Sequence, residues 1–363
     1  MMTDADREFM GRALQLAERG LYTTTPNPRV GCVIVRDGAA VGEGWHERAG
    51  GPHAEVVALQ AAGERARGAT AYVTLEPCHH HGRTPPCDEA LVAAGVARVV
   101  TAMTDPDPRT AGQGIARLRA AGIEVLTGVR EDEARAINCG FVSRVTRGRP
   151  WTRMKIAASL DGRTALLNGK SQWITGEAAR NDGHHWRARA CAILTGIGTV
   201  LDDDPRLTAR AVATPRQPLR VVIDSRLETP PTAHILENGG TLIACAVADE
   251  AKAAQLKARG ADIIVLPNAA GKVELPALMQ ELGQRGINEL HVEAGHRLNG
   301  SLLNEGCVDE LLLYLAPCLL GDHARGMASL PEISDLAGRR VLQISDMRMV
   351  GADIRIMAKL GSA

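Results

Sequence analysis

Aromatic side chains are scarce in this chain. Phenylalanine, tryptophan and tyrosine together make up 2% of its 363 residues, too few for the stacking rings of a single-stranded nucleic-acid groove. An excess of charge of one sign is also lacking. Forty-two lysines and arginines balance 42 aspartates and glutamates, and no basic stripe stands out, so no nucleic-acid partner is expected. The longest apolar run, ELLLYLAPCLLG (310–321), is interrupted by Pro317 and too short to span a bilayer. The start, MMTDADREFMGRAL, has no basic stretch ahead of an apolar one, so no signal peptide is expected. Eight cysteines are too few for a disulfide scaffold in a chain of this size. Cys32, Cys191 and Cys245 lie in strand-like apolar runs and read as small buried hydrophobes. A cytoplasmic, reducing setting fits these features, with no membrane partner.

What is present is a 45% hydrophobic sequence, enough for two full cores, in which strands and helices alternate. Residues 4–19 read as an amphipathic helix that stops at Gly20. VGCVIV (30–35) and AVGEGW (40–45) flank Asp37-Gly38, a strong hairpin signal. A helix is expected from His53 to Gly63, strands at 69–75, 97–103 and 123–128, helices between them, and one closing helix over 131–146. RGRP (147–150) interrupts the pattern. A second α/β run follows, with strands expected at 151–158, 191–195, 219–224, 241–246, 262–266, 288–293 and 309–316, and two more near 340–348 and 352–359. The proline- and glycine-rich stretch 226–240 reads as loop. The expected domains are 1–146 and 147–363, and the fold class is α/β.

PCHHHGRTPPC (77–87) holds two cysteines, three consecutive histidines and an arginine. With HAE (53–55) upstream, it supplies one imidazole and two thiolates, His53, Cys78 and Cys87. Three protein ligands with a fourth position open to water is the donor set of a catalytic zinc. His53 is expected to open a helix after Gly51-Pro52, and Cys87 to stand at a helix start behind Thr84-Pro85-Pro86. Helix N-termini favour a thiolate. Two thiolates cancel the ion's charge, so a base beside the water should help to deprotonate it. Glu55 is placed for that work without ligating the metal. H-x-E followed by P-C and a second cysteine is the arrangement of zinc deaminases, although here eight residues separate the cysteines. A four-ligand structural zinc recruiting His79, His80 or His81 is the alternative, but it has no use for Glu55.

TPNPRVGCVIV, GPHAEVVAL, TLEPC, HGRTPPC and DPDPRTAGQGI resemble the deaminase half of the bacterial bifunctional riboflavin-biosynthesis deaminase/reductase. KIAASLDGRTA, SQWITGEAAR, AILTGIGTVLDDDP, RVVIDS and HVEAG resemble its reductase half. The resemblance runs in order through nearly the whole chain. It implies a cytidine-deaminase-like N-terminal domain followed by a dihydrofolate-reductase-like C-terminal domain. The implied reactions are removal of an exocyclic amine from a phosphoribosylamino-diaminopyrimidinone, then reduction of the ribosyl group to ribityl by NADPH. For the deaminase it implies zinc on His53, Cys78 and Cys87, proton transfer by Glu55, and substrate contacts from Asn27, His46, His80 and Arg83, the last gripping phosphate. For the reductase it implies dinucleotide contacts from Ala157, Trp173, Thr199, Asp203, Ser225 and Gly295. Substrate contacts are implied from Ser171, Arg187, Leu207, Arg210 and Glu293. Family members are commonly oligomers through the reductase domain, so a homo-oligomer is expected.

Two positions depart from the family pattern. His79 stands where serine is usual, and Asp107 where DPNP is usual; neither receives a role. GIGTVL (196–201) lacks the third glycine of a Rossmann fingerprint. That leaves two strand-to-helix turns, TGIGT and EAGHRLNGS, as places where helix N–H groups could meet cofactor phosphates. Asp161 is as well explained by a turn as by proton transfer, and no acid or base is assigned to the reduction. A deaminase of tRNA adenosine or free cytosine, or a binding protein with a structural zinc, is a weaker reading. The first gives the second half no purpose, and the second gives Glu55 none.

Overall fold

The computed structural model describes residues 2–79, 86–108, 110–247 and 249–361, and the chain divides into two compact units, 1–148 and 149–363.

The first unit begins with α1 (Asp4–Glu18). Its N-terminus is fixed by a capping box in which Thr3 and Asp6 exchange side-chain and backbone bonds. The Asp6 carboxylate also accepts from the Tyr72 hydroxyl at 3.0 Å and from Arg98 at 2.6 Å, pinning the helix to the sheet. The sheet has five strands, β1 (Gly31–Arg36), β2 (Ala39–Trp45), β3 (Thr70–Val73), β4 (Arg98–Thr101) and β5 (Glu124–Leu126). Their order is β2-β1-β3-β4-β5. β1 runs antiparallel to β2 and β3, while β3, β4 and β5 are parallel. The Asp37-Gly38 turn has positive φ at both residues, +51° and +77°, as a two-residue type I′ hairpin requires.

Side chains alternate across the sheet. Cys32 and Ile34 face α2 (Ala54–Ala62), α3 (Cys87–Ala94) and α4 (Gln113–Ala120). Val33 and Val35 face α1 and α5 (Glu131–Ile137). The helix α2 lies directly on β2 because Gly42 and Gly44 carry no side chain. A Cβ on Gly44 would stand 2.5 Å from the Ala54 carbonyl oxygen, and one on Gly42 would collide with that of Ala58. The single closing helix expected over 131–146 is instead two, α5 and α6 (Cys139–Arg147). The break falls at buried Asn138, whose amide accepts from the Arg29 N–H at 2.8 Å and donates to the Arg29 carbonyl at 2.9 Å.

The second unit is built on nine strands: β6 (Trp151–Ser159), β8 (Ala192–Gly196), β9 (Leu219–Ile223), β10 (Thr241–Cys245), β11 (Ala261–Val265), β12 (Glu289–Val292), β13 (Glu310–Ala316), β15 (Leu342–Val350) and β16 (Asp353–Leu360). Their order is β11-β10-β9-β8-β12-β6-β13-β16-β15. The first seven in that order are parallel, and the β15–β16 hairpin closes one edge antiparallel. The helices α7 (Glu177–Arg189), α8 (Ile197–Asp203), α9 (Glu250–Ala258), α10 (Leu275–Gln284) and α11 (His296–Asn304) connect the strands. Two features were not expected from the sequence. β7 (Arg163–Ala165) and β14 (Arg325–Gly326) form a small separate sheet. Within 226–240, read as loop, Asp224 accepts from the N–H groups of Glu228 and Thr229 at 2.9 and 2.7 Å, and a short 3₁₀ turn spans His234–Leu236. No helix among the described residues is long and apolar enough to cross a membrane.

Candidate active sites

In the first unit, three segments bring donor atoms to one point. His53 is the N-cap of α2, Cys78 follows the end of β3, and Cys87 is the first residue of α3 behind Pro86. Their ligand atoms all lie within 4.8 Å of one another. The His53 Nδ1 is 3.2 Å from Cys87 Sγ and 3.5 Å from Cys78 Sγ. Tetrahedral zinc with ordinary Zn–S and Zn–N lengths separates such atoms by about 3.5 Å, so the spacing and donor chemistry fit that ion.

The electrostatics agree. Cys78 is drawn down to about 4, chiefly by a hydrogen bond from Cys87, which retains its proton and is correspondingly pushed up. The hydrogen bond to Cys78 raises His53. A divalent cation between the sulfurs relieves the repulsion that keeps both thiols from ionising together. Glu55, in the first turn of α2, is 3% exposed. Burial lifts its carboxyl to about 7, and the charge on Cys78 adds to the rise. A carboxyl poised there can take and return a proton near neutrality.

Asn27 and His46 meet beside this cluster. His46 Nδ1 is 2.9 Å from the Pro52 carbonyl, which only accepts, so that nitrogen carries the proton. Its Nε2 therefore accepts from the Asn27 amide at 3.0 Å, and the Asn27 oxygen is the end that His46 does not use. Burial lowers His46 and keeps it neutral. The His46 and His53 rings meet edge to face with centroids 5.4 Å apart. His80, His81 and Arg83 lie outside the described residues. His79 donates from Nδ1 to the buried Asp88 carboxylate at 2.6 Å.

Glu76, in TLEPC, carried no expectation. It is buried and accepts from the N–H groups of Asp105, Gly112 and Ile115 at 3.1, 2.9 and 3.2 Å. It thus ties the strand end that carries Cys78 to the 105–115 segment. A carboxylate at the end of an apolar strand was the available signal. Asp107 belongs to the same turn, its N–H donating to Asp105 at 2.9 Å.

In the second unit, a cavity of about 300 Å³ opens beside β6, at the ends of β8 and β12, where the strand order reverses direction. Its wall includes Ala157, Ser171, Trp173, Thr199, Asp203, Glu293 and Gly295, all expected at the site, and excludes Arg187, Leu207, Arg210 and Ser225. The two glycine-bearing turns become helix starts, α8 capped by Gly196 and α11 by Gly295, neither with a side-chain cap. Their first N–H groups are therefore free of side-chain capping, which suits an anionic partner. Trp173 is 69% exposed, with the Arg180 guanidinium 4.6 Å from its ring centroid. Ser225 instead accepts from the Val273 N–H at 3.3 Å.

Arg187 and Glu293, expected as separate substrate contacts, form a bidentate pair at 2.5 and 2.8 Å. The third nitrogen of Arg187 donates to the Thr208 carbonyl at 3.2 Å. Arg210 is exposed and donates to the Thr208 hydroxyl at 3.2 Å. As placed, Arg187 is committed to Glu293, and Arg210 is the more open of the two guanidinium groups. Burial alone would raise Glu293, but the Arg187 charge and bond, with His291 and Lys155, hold it well below the usual carboxylate range. Lys155 was missed. It lines the cavity two residues from Ala157 on the same face of β6, and burial lowers its ammonium. Its strand, WTRMKIAAS, also carries Arg153, so the sequence alone did not single Lys155 out. Asp161 accepts from Ser159 and from the N–H groups of Leu320 and Gly321, at 3.1 and 2.8 Å for the latter two. It is pulled down to about 2, chiefly by the Ser159 hydroxyl, and anchors a loop.

The cytidine and deoxycytidylate deaminase zinc-binding region matches residues 3–103, and the RibD C-terminal domain matches residues 150–355. The riboflavin biosynthesis protein RibD of Escherichia coli is 49% identical over 361 residues, covering 96% of this chain and 98% of that one. The Aquifex aeolicus RibD is 44% identical, covering 89% and 90%. Among solved structures, Acinetobacter baumannii RibD matches with a TM-score of 0.92 at 44% identity, covering 99% of both chains. A Thermotoga maritima diaminohydroxyphosphoribosylaminopyrimidine deaminase/5-amino-6-(5-phosphoribosylamino)uracil reductase matches at 0.87 and 30%, covering 98% and 99%. A zinc-binding deaminase region joined to a reductase domain along nearly the full length of these relatives means that the chain belongs to the RibD family of bifunctional deaminase/reductases of riboflavin biosynthesis.

Proposed function

We propose that residues 1–146 hydrolyse the exocyclic amine of 2,5-diamino-6-(5-phosphoribosylamino)pyrimidin-4-one, and that residues 147–363 then reduce its ribosyl group to ribityl with NADPH. The product is 5-amino-6-(5-phosphoribitylamino)uracil. The observation that carries the reading is the convergence of His53, Cys78 and Cys87 within 4.8 Å next to the buried carboxyl of Glu55.

His53 Nδ1 and the two sulfurs would hold zinc, which supplies Lewis acidity that readies a water for attack at neutral pH. Glu55 accepts a proton from that water and delivers it towards the departing amine, which leaves as ammonia while oxygen takes its place on the ring. Asn27, oriented by His46, offers its amide oxygen to the pyrimidine. His80 and Arg83 are proposed as further substrate contacts, with Arg83 on the phosphate.

In the second unit NADPH supplies a hydride for C1′ of the open-chain sugar. The starts of α8 and α11, at Gly196 and Gly295, face its phosphates, with Ala157, Trp173, Thr199, Asp203 and Ser225 as further cofactor contacts. Ser171, Leu207 and Arg210 are proposed to hold the substrate. Lys155, whose ammonium is lowered by burial, stands on the same wall and is proposed to supply the proton that the nitrogen beside C1′ takes up as the hydride reaches the carbon. A homo-oligomer is proposed because the edge strand β15 exposes Leu342, Ile344, Met347 and Met349, an apolar edge that isolated sheets avoid. A reducing, cytoplasmic setting suits thiolate ligands and eight free cysteines.

The test follows product mass after incubating zinc-loaded protein with the diaminopyrimidinone phosphate. Without NADPH, exchange of one amine for oxygen is expected, and with NADPH a further gain of two hydrogens. Absence of both shifts with zinc bound would overturn the proposal.

A further inference from the structure

The residues that follow the two proposed thiolate ligands are bonded to each other. His79 succeeds Cys78, Asp88 succeeds Cys87, and the His79 Nδ1–H donates to Asp88 Oδ2 at 2.6 Å. The same two segments share two backbone-donated bonds, from the Asp88 N–H to the Cys78 carbonyl and from the Cys87 N–H to Cys78 Sγ, each 3.3 Å. Asp88 has no exposed surface. Its other oxygen accepts from the Glu89 N–H at 2.6 Å. The Arg117 guanidinium of α4 stands 3.7 Å from Asp88 and 3.1 Å from Glu89. A carboxylate withdrawn from water persists only where hydrogen bonds and charge partners replace it. Here the imidazole that does so belongs to the other ligand-bearing segment. His79 is not in the three-donor cluster, and its Nδ1 is engaged by Asp88.

We propose that His79 and Asp88 form a clasp between the two ligand-bearing segments, holding the Cys78 and Cys87 sulfurs at ligand spacing and so setting how tightly and how long the metal is retained. The proposal rests on reading the cluster as a zinc site. His79 and Asp88 are positioning residues that touch neither metal nor substrate. The interval between the cysteines leaves their separation dependent on contacts outside the sulfurs themselves, and this bond is one that crosses it. Outer partners of metal ligands act in this way, and losing one lowers metal affinity by about 10- to 100-fold.

The test measures zinc affinity by chelator competition, and zinc release by a chromophoric indicator, on the full-length chain and two variants. His79→Ala is expected to weaken zinc by about 10- to 100-fold and to speed release correspondingly, with reduction by the second unit unchanged. His79→Asn puts an amide N–H close to where the imidazole Nδ1–H lies, and is expected to recover most of the loss. Unchanged affinity and release in His79→Ala would overturn the clasp. Loss in His79→Ala without recovery in His79→Asn would also overturn it, because the restored N–H donor would then not be what holds the two segments together. A wild-type chain that takes up no zinc would defeat the zinc reading itself, a result distinguishable from either.

Discussion

The two sites differ in how their chemistry is distributed. The first concentrates it in atoms within 4.8 Å of one another, drawn from the starts of α2 and α3 and the end of β3. The second spreads it around a cavity of about 300 Å³ whose wall draws on β6, the 164–180 segment, α8 and the turn after β12. A metal needs few donors at fixed short distances, and only histidine, cysteine and carboxylates supply them, so residue type and spacing expose the site. A dinucleotide is long and is held largely by backbone N–H groups and many weak contacts. Those leave little mark on residue type, and for that unit the sequence spoke mainly through family resemblance.

The largest effect that can break this contrast is at Glu55. Glu55→Gln should lower deamination by about 10²- to 10⁴-fold while zinc stays bound and reduction proceeds on deaminated substrate. Chelation should likewise stop deamination alone. Loss of both activities in either experiment would mean that the sites do not operate separately.

Next in size is the Arg187–Glu293 pair. Arg187→Leu leaves a largely but not fully buried carboxylate without its bidentate partner and should destabilise the second unit by about 3 kcal/mol, with little effect on deamination. The pH dependence has a definite sign. Glu293 is depressed in the folded state, so its contribution is complete above the unfolded carboxylate value of about 4.3 and disappears as pH falls towards the folded one. Thermal unfolding of wild type and Glu293→Gln should therefore converge in acid, draw apart as pH rises, and reach full separation above about pH 4.3.

Local signals account for what could be read of the fold. The Gly20 stop of the first helix, the Asp37-Gly38 turn and the alternation of strands with helices are each written in a few adjacent residues. Breaks with distant causes were not visible. Asn138 interrupts the closing helix through bonds to Arg29, 109 residues away, and nothing in EDEARAINCGFVSRVT announces them. Asp161 looked like a turn former or a proton donor until Leu320 and Gly321 came to meet it. At the sites, His53, Cys78, Cys87 and Glu55 could be named from spacing, whereas Glu76 and Lys155 acquire meaning only once the fold brings their partners near. Asn138→Ala tests the long-range half of this distinction. It removes two hydrogen bonds to the buried Arg29 backbone and should cost about 1–3 kcal/mol, measured by denaturant unfolding of the first unit, with the reductase unaffected.

The smallest predicted effect is at Trp173, where the diffuse character of the second site can be sharpened. The ring is mostly exposed and faces the Arg180 guanidinium at 4.6 Å, an interaction of about 0.5–1 kcal/mol at an exposed position. Trp173→Ala should therefore leave thermal stability nearly unchanged. As one of many contacts along a dinucleotide it should raise the KM for NADPH by no more than about tenfold, equivalent to 1.4 kcal/mol. kcat should hold, as expected for a contact that binds ground and transition states equally. Trp173→Phe, which retains a ring face for the cation, should lie between. A collapse in kcat would move Trp173 from the extended wall to the reacting centre, and a large loss of stability would make it a packing residue despite its exposure.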